Sequence, residues 1–150
     1  FKTPEREKMM AKSAQKEMLF IPKLNKKVMI YTYGYSKRKV LLVHGWSGRG
    51  TQLYKIADKL LENGFMTISF DAPAHGNSKG KTTMMNEFIA TAIYLQEKGI
   101  EINWVIIGDG RAKQSLIDQI SFSKLSISSS NFFKRCFSSS AFFLASKSLA

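Results

Sequence analysis

Apolar positions fall first at helical spacing, then at strand spacing, and from residue 40 onward the two patterns alternate. Pro4 to Met18 reads as a charged helix whose thin apolar stripe is Met9, Met10 and Ala14, which predicts a solvated helix or lead-in. From Phe20 the stretches LFIP and KKVMIYTYGY carry β-branched and aromatic residues bounded by Pro22, Asn25 and Gly34, predicting an antiparallel hairpin or edge pair. Val40 to Val43 is a short apolar strand ending at His44-Gly45. Thr51 to Glu62 follows at helical spacing through Leu53, Ile56, Ala57, Leu60 and Leu61, and Asn63-Gly64 supplies a stop. Phe65 to Phe70 reads as a second strand that runs into Asp71 and the polar turn APAHGNSKGK. Met85 to Lys98 reads as a helix closed by Gly99, and Trp104 to Ile107 as a third strand. Strands alternating with helices of this length predict βαβ crossovers. The expected class is α/β: a mostly parallel sheet with flanking helices and an N-terminal antiparallel hairpin.

The alternation stops after Ile120. Residues 121–150 hold 11 Ser and 6 Phe but no Gly, Pro, Asp or Glu, and keep neither period. The chain therefore divides into a charged helical lead-in over 1–19, an α/β segment over 20–120 and a Ser/Phe-rich tail over 121–150. Its 150 residues suffice for one domain or part of one. A formal charge of +12 favours encounters with anions. Cys136 is the only cysteine, which excludes an intrachain disulfide and makes a reduced, cytoplasmic setting the expectation. No uninterrupted apolar run approaches the length of a membrane span, so none is expected.

Two loops carry candidate chemistry. In VLLVHGWSGRGTQ a strand ends in His-Gly and enters a Gly-rich loop, which places backbone N–H groups at the C-terminal edge of a parallel sheet, where they suit a developing oxyanion. Gly45 and Gly50 have the separation of a phosphate loop, but the lysine such a loop requires is absent. In SFDAPAHGNS a strand delivers Asp71 into a tight turn made from Pro73, Gly76 and Asn77. A lone Asp or His in such a turn is more often a turn-former than a catalyst.

The ordered set VLLVHGW (40–46), FDAPAHGNS (70–78) and WVIIG (104–108) resembles the α/β-hydrolase superfamily, in particular its esterase-like and lipase-like members. The resemblance implies an oxyanion-hole loop shaped by His44 and Gly45. The Trp46 N–H would be one donor, with Arg111 completing the hole after the nucleophile position. Asp71 and His75 would have structural roles in the pocket wall. It also implies a nucleophile elbow G-x-S-x-G at Gly108, Asp109, Gly110, Arg111 and Ala112.

Gly110 stands where the nucleophilic serine belongs, and without a hydroxyl no acyl-enzyme forms. The triad acid and histidine would follow the elbow, yet only Asp118 does so, and His44 and His75 both precede it. Ser47 and Ser115 sit in no elbow pattern. The expectation is thus an acyl ester hydrolase type of protein, truncated or frame-altered after about Gly108 and catalytically incomplete, acting on a small acyl or ester compound if on any. The alternative is a non-catalytic small-molecule-binding protein on the same fold. No cofactor is expected, two His and one Cys give no support to a metal site, and Phe residues near Lys134-Arg135 without a binding motif do not make nucleic acid a partner.

Overall fold

The computed structural model describes residues 3–98 and the two later strands Ile102–Ile107 and Ala141–Ala145. In chain order the elements are α1 (Glu5–Ser13), β1 (Gln15–Ile21), β2 (Lys26–Tyr33), β3 (Lys39–Val43), α2 (Tyr54–Glu62), β4 (Met66–Asp71), α3 (Met85–Glu97), β5 (Ile102–Ile107) and β6 (Ala141–Ala145). Short 3-10 turns at Pro22–Leu24 and Gly50–Leu53 lead into β2 and α2.

The six strands form one sheet in the order β1-β2-β4-β3-β5-β6. β3 pairs in parallel with both β4 and β5, whereas β1 with β2, β2 with β4, and β5 with β6 are antiparallel. The sheet is therefore mixed, which corrects the expectation of a mostly parallel one. The physical reason is connectivity. Among the described residues helical crossovers join β3, β4 and β5, while the tight turn at Pro22–Asn25 reverses the chain between β1 and β2, and β2 inserts antiparallel beside β4. Asn25 takes up the left-handed conformation of that turn, with φ +51°.

The lead-in helix ends at Ser13, short of the expected Met18, and the hairpin begins at Gln15 rather than Phe20. A weak apolar stripe gives the helix little reason to continue, whereas Gln15–Ile21 gains a full ladder against Thr32–Lys26.

The core has a layer on each side of the sheet. Val40 and Leu42 point to one face, where Met10 of α1 and Ala57 and Leu60 of α2 cover them. Leu41 and Val43 point to the other, with Ile68 and Phe70 of β4 and Phe88, Ile89, Ala92 and Leu95 of α3. Burial on both faces is why β3 reads as an unbroken apolar run. Gly64, at φ +79°, closes α2, and the Phe65 N–H returns to the Leu60 carbonyl at 3.0 Å. Glu87 caps α3 by accepting the Met84 N–H at 3.1 Å, and also takes Lys26 Nζ of β2 at 2.6 Å. Burial opposes that charge, but the bonds from Lys26 and Met84 prevail and hold Glu87 below the usual carboxylate range. Among the described residues no helix is long and apolar enough to cross a membrane.

Candidate functional site

The loop after β3 and the loop after β4 meet at the C-terminal edge of the parallel strands. His44, at the end of β3, is buried with both ring nitrogens engaged: Nδ1–H donates to the Gly45 carbonyl at 2.7 Å and Nε2 accepts the Ala72 N–H at 3.0 Å. Burial lowers its pKa below the ordinary histidine value, outweighing the Gly45 bond that raises it, so the ring is neutral at pH 7.

Residues Gly45 to Gly48 make a tight turn, closed by the Gly48 N–H on the Gly45 carbonyl at 3.0 Å. Ser47 holds the third position at φ +60°, a left-handed conformation unusual for serine. Its N–H donates to His75 Nε2 at 3.2 Å, while His75 Nδ1–H donates to the Pro73 carbonyl at 3.0 Å. Four rings gather here: His75 lies 5.3 Å from His44, 5.6 Å from Trp46 and 5.4 Å from Phe88 between centroids, and Trp46 stacks on Phe88 at 6.2 Å. The Trp46 side chain is nevertheless 60% exposed, and no described residue accepts a hydrogen bond from its N–H.

The far end of the loop is fixed from two directions. Arg49 forms a bidentate ion pair with Glu7 of α1, through Nε to Oε1 and through Nη2 to Oε2 at 3.0 Å. Thr51 Oγ1 donates to the same carboxylate at 2.7 Å. From the other side the fully buried Asp71 accepts the Gly50 N–H on Oδ1 at 2.7 Å, and the Tyr31 hydroxyl and Asn77 N–H on Oδ2, each at 2.8 Å. Asn77 Nδ2 donates to the Tyr31 oxygen at 2.9 Å, and the Ser78 hydroxyl donates to the Asp71 carbonyl while accepting the Met29 N–H at 2.8 Å. Burial, assisted by the Asp71 charge, pushes the Tyr31 hydroxyl up to about 12. Gly76 at φ +47° lets the turn close over Asp71, since a Cβ there would lie 2.3 Å from Oδ2.

His44, Gly45, Trp46, Asp71 and His75 thus share one sheet edge. Gly108, Asp109, Gly110, Arg111, Ala112, Ser115 and Asp118 lie outside the described residues, as do Lys134, Arg135 and Cys136. What the arrangement offers, among the described residues, is a backbone donor without an acceptor beside an aromatic surface, and all four histidine nitrogens are bonded to main chain. Among the described residues no three His, Cys, Asp or Glu side chains cluster as metal ligands. Sequence reasoning missed Glu7, Tyr31, Arg49 and Phe88. Only Tyr31 gave a signal, as a polar-tipped aromatic in an apolar strand.

No family model matches the sequence, and no curated protein is significantly similar to it. Solved structures do match. Bromoperoxidase from Bacillus anthracis is 20% identical with a TM-score of 0.58, over 73% of this chain and 40% of that one. Est1E from Butyrivibrio proteoclasticus, with ferulic acid bound, is 16% identical with a TM-score of 0.56, over 70% and 48%. The esterase from Exiguobacterium antarcticum is 18% identical with a TM-score of 0.53, over 60% and 34%. The chain accordingly has the fold of the α/β-hydrolases, and spans less than half the length of these neighbours.

Proposed function

We propose that the chain carries the opening part of an α/β-hydrolase of the acyl ester hydrolase type, with the nucleophile-bearing part missing or replaced after about Gly108, so that it is catalytically incomplete. The observation that carries the reading is the Trp46 N–H, left without a described acceptor at the end of a central parallel strand, in a loop anchored on both sides. That is the placement an oxyanion donor needs, because the donor must be aimed before charge develops. A small acyl or ester compound would meet it beside the Trp46 and His75 rings, with no cofactor. The single cysteine fits a reduced, cytoplasmic setting.

The incompleteness is chemical. Gly110 brings no hydroxyl, and His44 and His75 both precede it. The test is to treat the purified chain and its Gly110→Ser variant with a generic ester and a fluorophosphonate probe. Neither protein should turn over the ester or be labelled at a single serine; turnover or labelling of the unmodified chain would overturn the proposal. Translating the coding DNA in its other frames beyond Gly108 should reveal G-x-S-x-G with a later Asp and His. Stop codons alone would refute a frame change.

A further inference from the structure

We infer that His75 is a positioning residue whose protonation state selects the turn type of the loop that follows β3. The Gly45–Gly48 turn has negative φ at Trp46 and φ +60° at Ser47, the sign pattern of a type II turn. Type I and type II turns differ by a reversal of their central peptide, here the one joining Trp46 to Ser47. Type II normally wants glycine at the third position, since a left-handed L-residue is disfavoured there. Serine occupies that place instead, and its N–H is the group that His75 Nε2 accepts. The bond on the Pro73 carbonyl fixes the proton on Nδ1, so Nε2 has the lone pair this contact requires.

Protonation inverts the contact. An imidazolium has N–H on both nitrogens, so Nε2 would meet the Ser47 N–H donor to donor while keeping its bond to Pro73. Reversing the Trp46–Ser47 peptide resolves the conflict, because the Trp46 carbonyl then faces the imidazolium as an acceptor and Ser47 returns to an ordinary negative φ. Of the charged groups on the surrounding described elements, Asp71 binds Gly50, Tyr31 and Asn77, Arg49 binds Glu7, and Glu87 binds Lys26. Among the described residues His44 is the titratable ring against His75, and both its nitrogens are taken by main chain. The peptide dipole beside the Trp46 N–H would therefore turn over as the ring takes up a proton. This consequence for an oxyanion rests on the function proposed above; the switch itself does not.

The experiment is a pH titration of the full ¹⁵N-labelled chain from about pH 8 to 5, the range in which histidines titrate. At the upper end a scalar coupling across the hydrogen bond should join the Ser47 amide nitrogen to His75 Nε2. It should vanish on acidification, with a change of about tenfold in the ratio of the two turn orientations, the worth of one hydrogen bond. His75→Gln keeps an acceptor that does not titrate, so its Ser47 amide should hold still over the same range. Ser47→Gly should respond less than the parent, because glycine tolerates the left-handed turn. A Ser47 amide that stays unchanged over this range, or that moves equally in His75→Gln, overturns the inference. Should either variant fail to fold, the titration of the unmodified chain still decides. No substrate is involved, so the ester assay and this titration fail independently.

Discussion

Replacing Asp71 by Asn changes one atom and almost no volume, so its effect isolates hydrogen bonding. The carboxylate takes three donors, the Gly50 N–H on Oδ1 and the Tyr31 hydroxyl and Asn77 N–H on Oδ2, and is itself fully buried. An amide presents only one oxygen. With that oxygen toward Gly50, the NH₂ faces Tyr31 and Asn77; the tyrosine can turn its hydroxyl and accept, but the Asn77 N–H is left opposite another donor. Flipping the amide restores Oδ2 and strands the buried Gly50 N–H instead. Either way at least one donor is orphaned, at about 1–3 kcal/mol each, so Asp71→Asn should lower stability by roughly 2 kcal/mol and Asp71→Ala, which strands the Gly50, Tyr31 and Asn77 donors, by roughly 4 kcal/mol or more. Urea unfolding at pH 7, followed by far-UV circular dichroism, should show the Asn variant's midpoint falling by about 1 M for a slope of about 2 kcal/mol/M. Asp58→Asn is the comparator, since among the described residues Asp58 accepts a bond from the Tyr33 hydroxyl alone, at 2.9 Å, in a half-buried place. If Asp71→Asn unfolds at the parent's midpoint, or no earlier than Asp58→Asn, Asp71 is not the anchor described.

Gly76→Ala should destabilise by about 2–4 kcal/mol, combining a left-handed alanine with a Cβ at 2.3 Å from Asp71 Oδ2, and the same urea titration reads it. Glu7→Gln keeps the shape but removes the charge that holds Arg49 and Thr51; a loss of about 2 kcal/mol is expected, and an effect below about 0.5 kcal/mol would mean that α1 does not tie down the loop. Tyr31 titrates at about 12 in the folded chain against about 10 unfolded, so the unfolded state loses its proton first. Its stabilising contribution, about 2–3 kcal/mol, is fully present below about pH 10 and is lost as pH rises toward 12. The denaturation midpoint between pH 9 and 11.5 should fall more steeply for the parent than for Tyr31→Phe. The signs reverse for His44, which is held neutral by burial: stability is full above the ordinary histidine pKa and declines as pH drops below it, a decline His44→Gln should abolish.

How much of this could be read from the residues alone depended on whether the determining interaction was local. β3, α2, β4 and α3 were legible because each buries a periodic apolar set, and periodicity is a local signal. The approach of the His-Gly loop to the turn after Asp71 was legible only through the resemblance. The mixed sheet was not legible, because the reversal at Asn25 says that the chain turns back but not that β2 will insert beside β4, a partner more than 30 residues away. Glu7 was hidden for a similar reason. In a helix of charged residues nothing distinguishes the one carboxylate that is buried until Arg49 and Thr51 arrive beside it. His75 was placed in the wall of the site, but its bond to the strained Ser47 is a matter of turn geometry that composition does not encode.

The anchors of the loop all come from early in the chain: Glu7 from α1, Tyr31 from β2, Asp71 from β4, and His75 and Asn77 from the turn that follows. Each acts by satisfying a donor or a charge that would otherwise be stranded, so each is independent of whatever occupies position 110. The donor loop can therefore be set without a nucleophile. It follows that a silent Gly110→Ser variant would not by itself discredit the loop, because supplying a hydroxyl supplies no proton acceptor; His44 and His75 cannot lend a nitrogen without releasing Ala72 or Ser47. An ester signal from Gly110→Ser that disappears in His75→Gln would mean the opposite, that His75 can leave its backbone bond to serve as base, and would require the positioning role argued for it to give way to a chemical one.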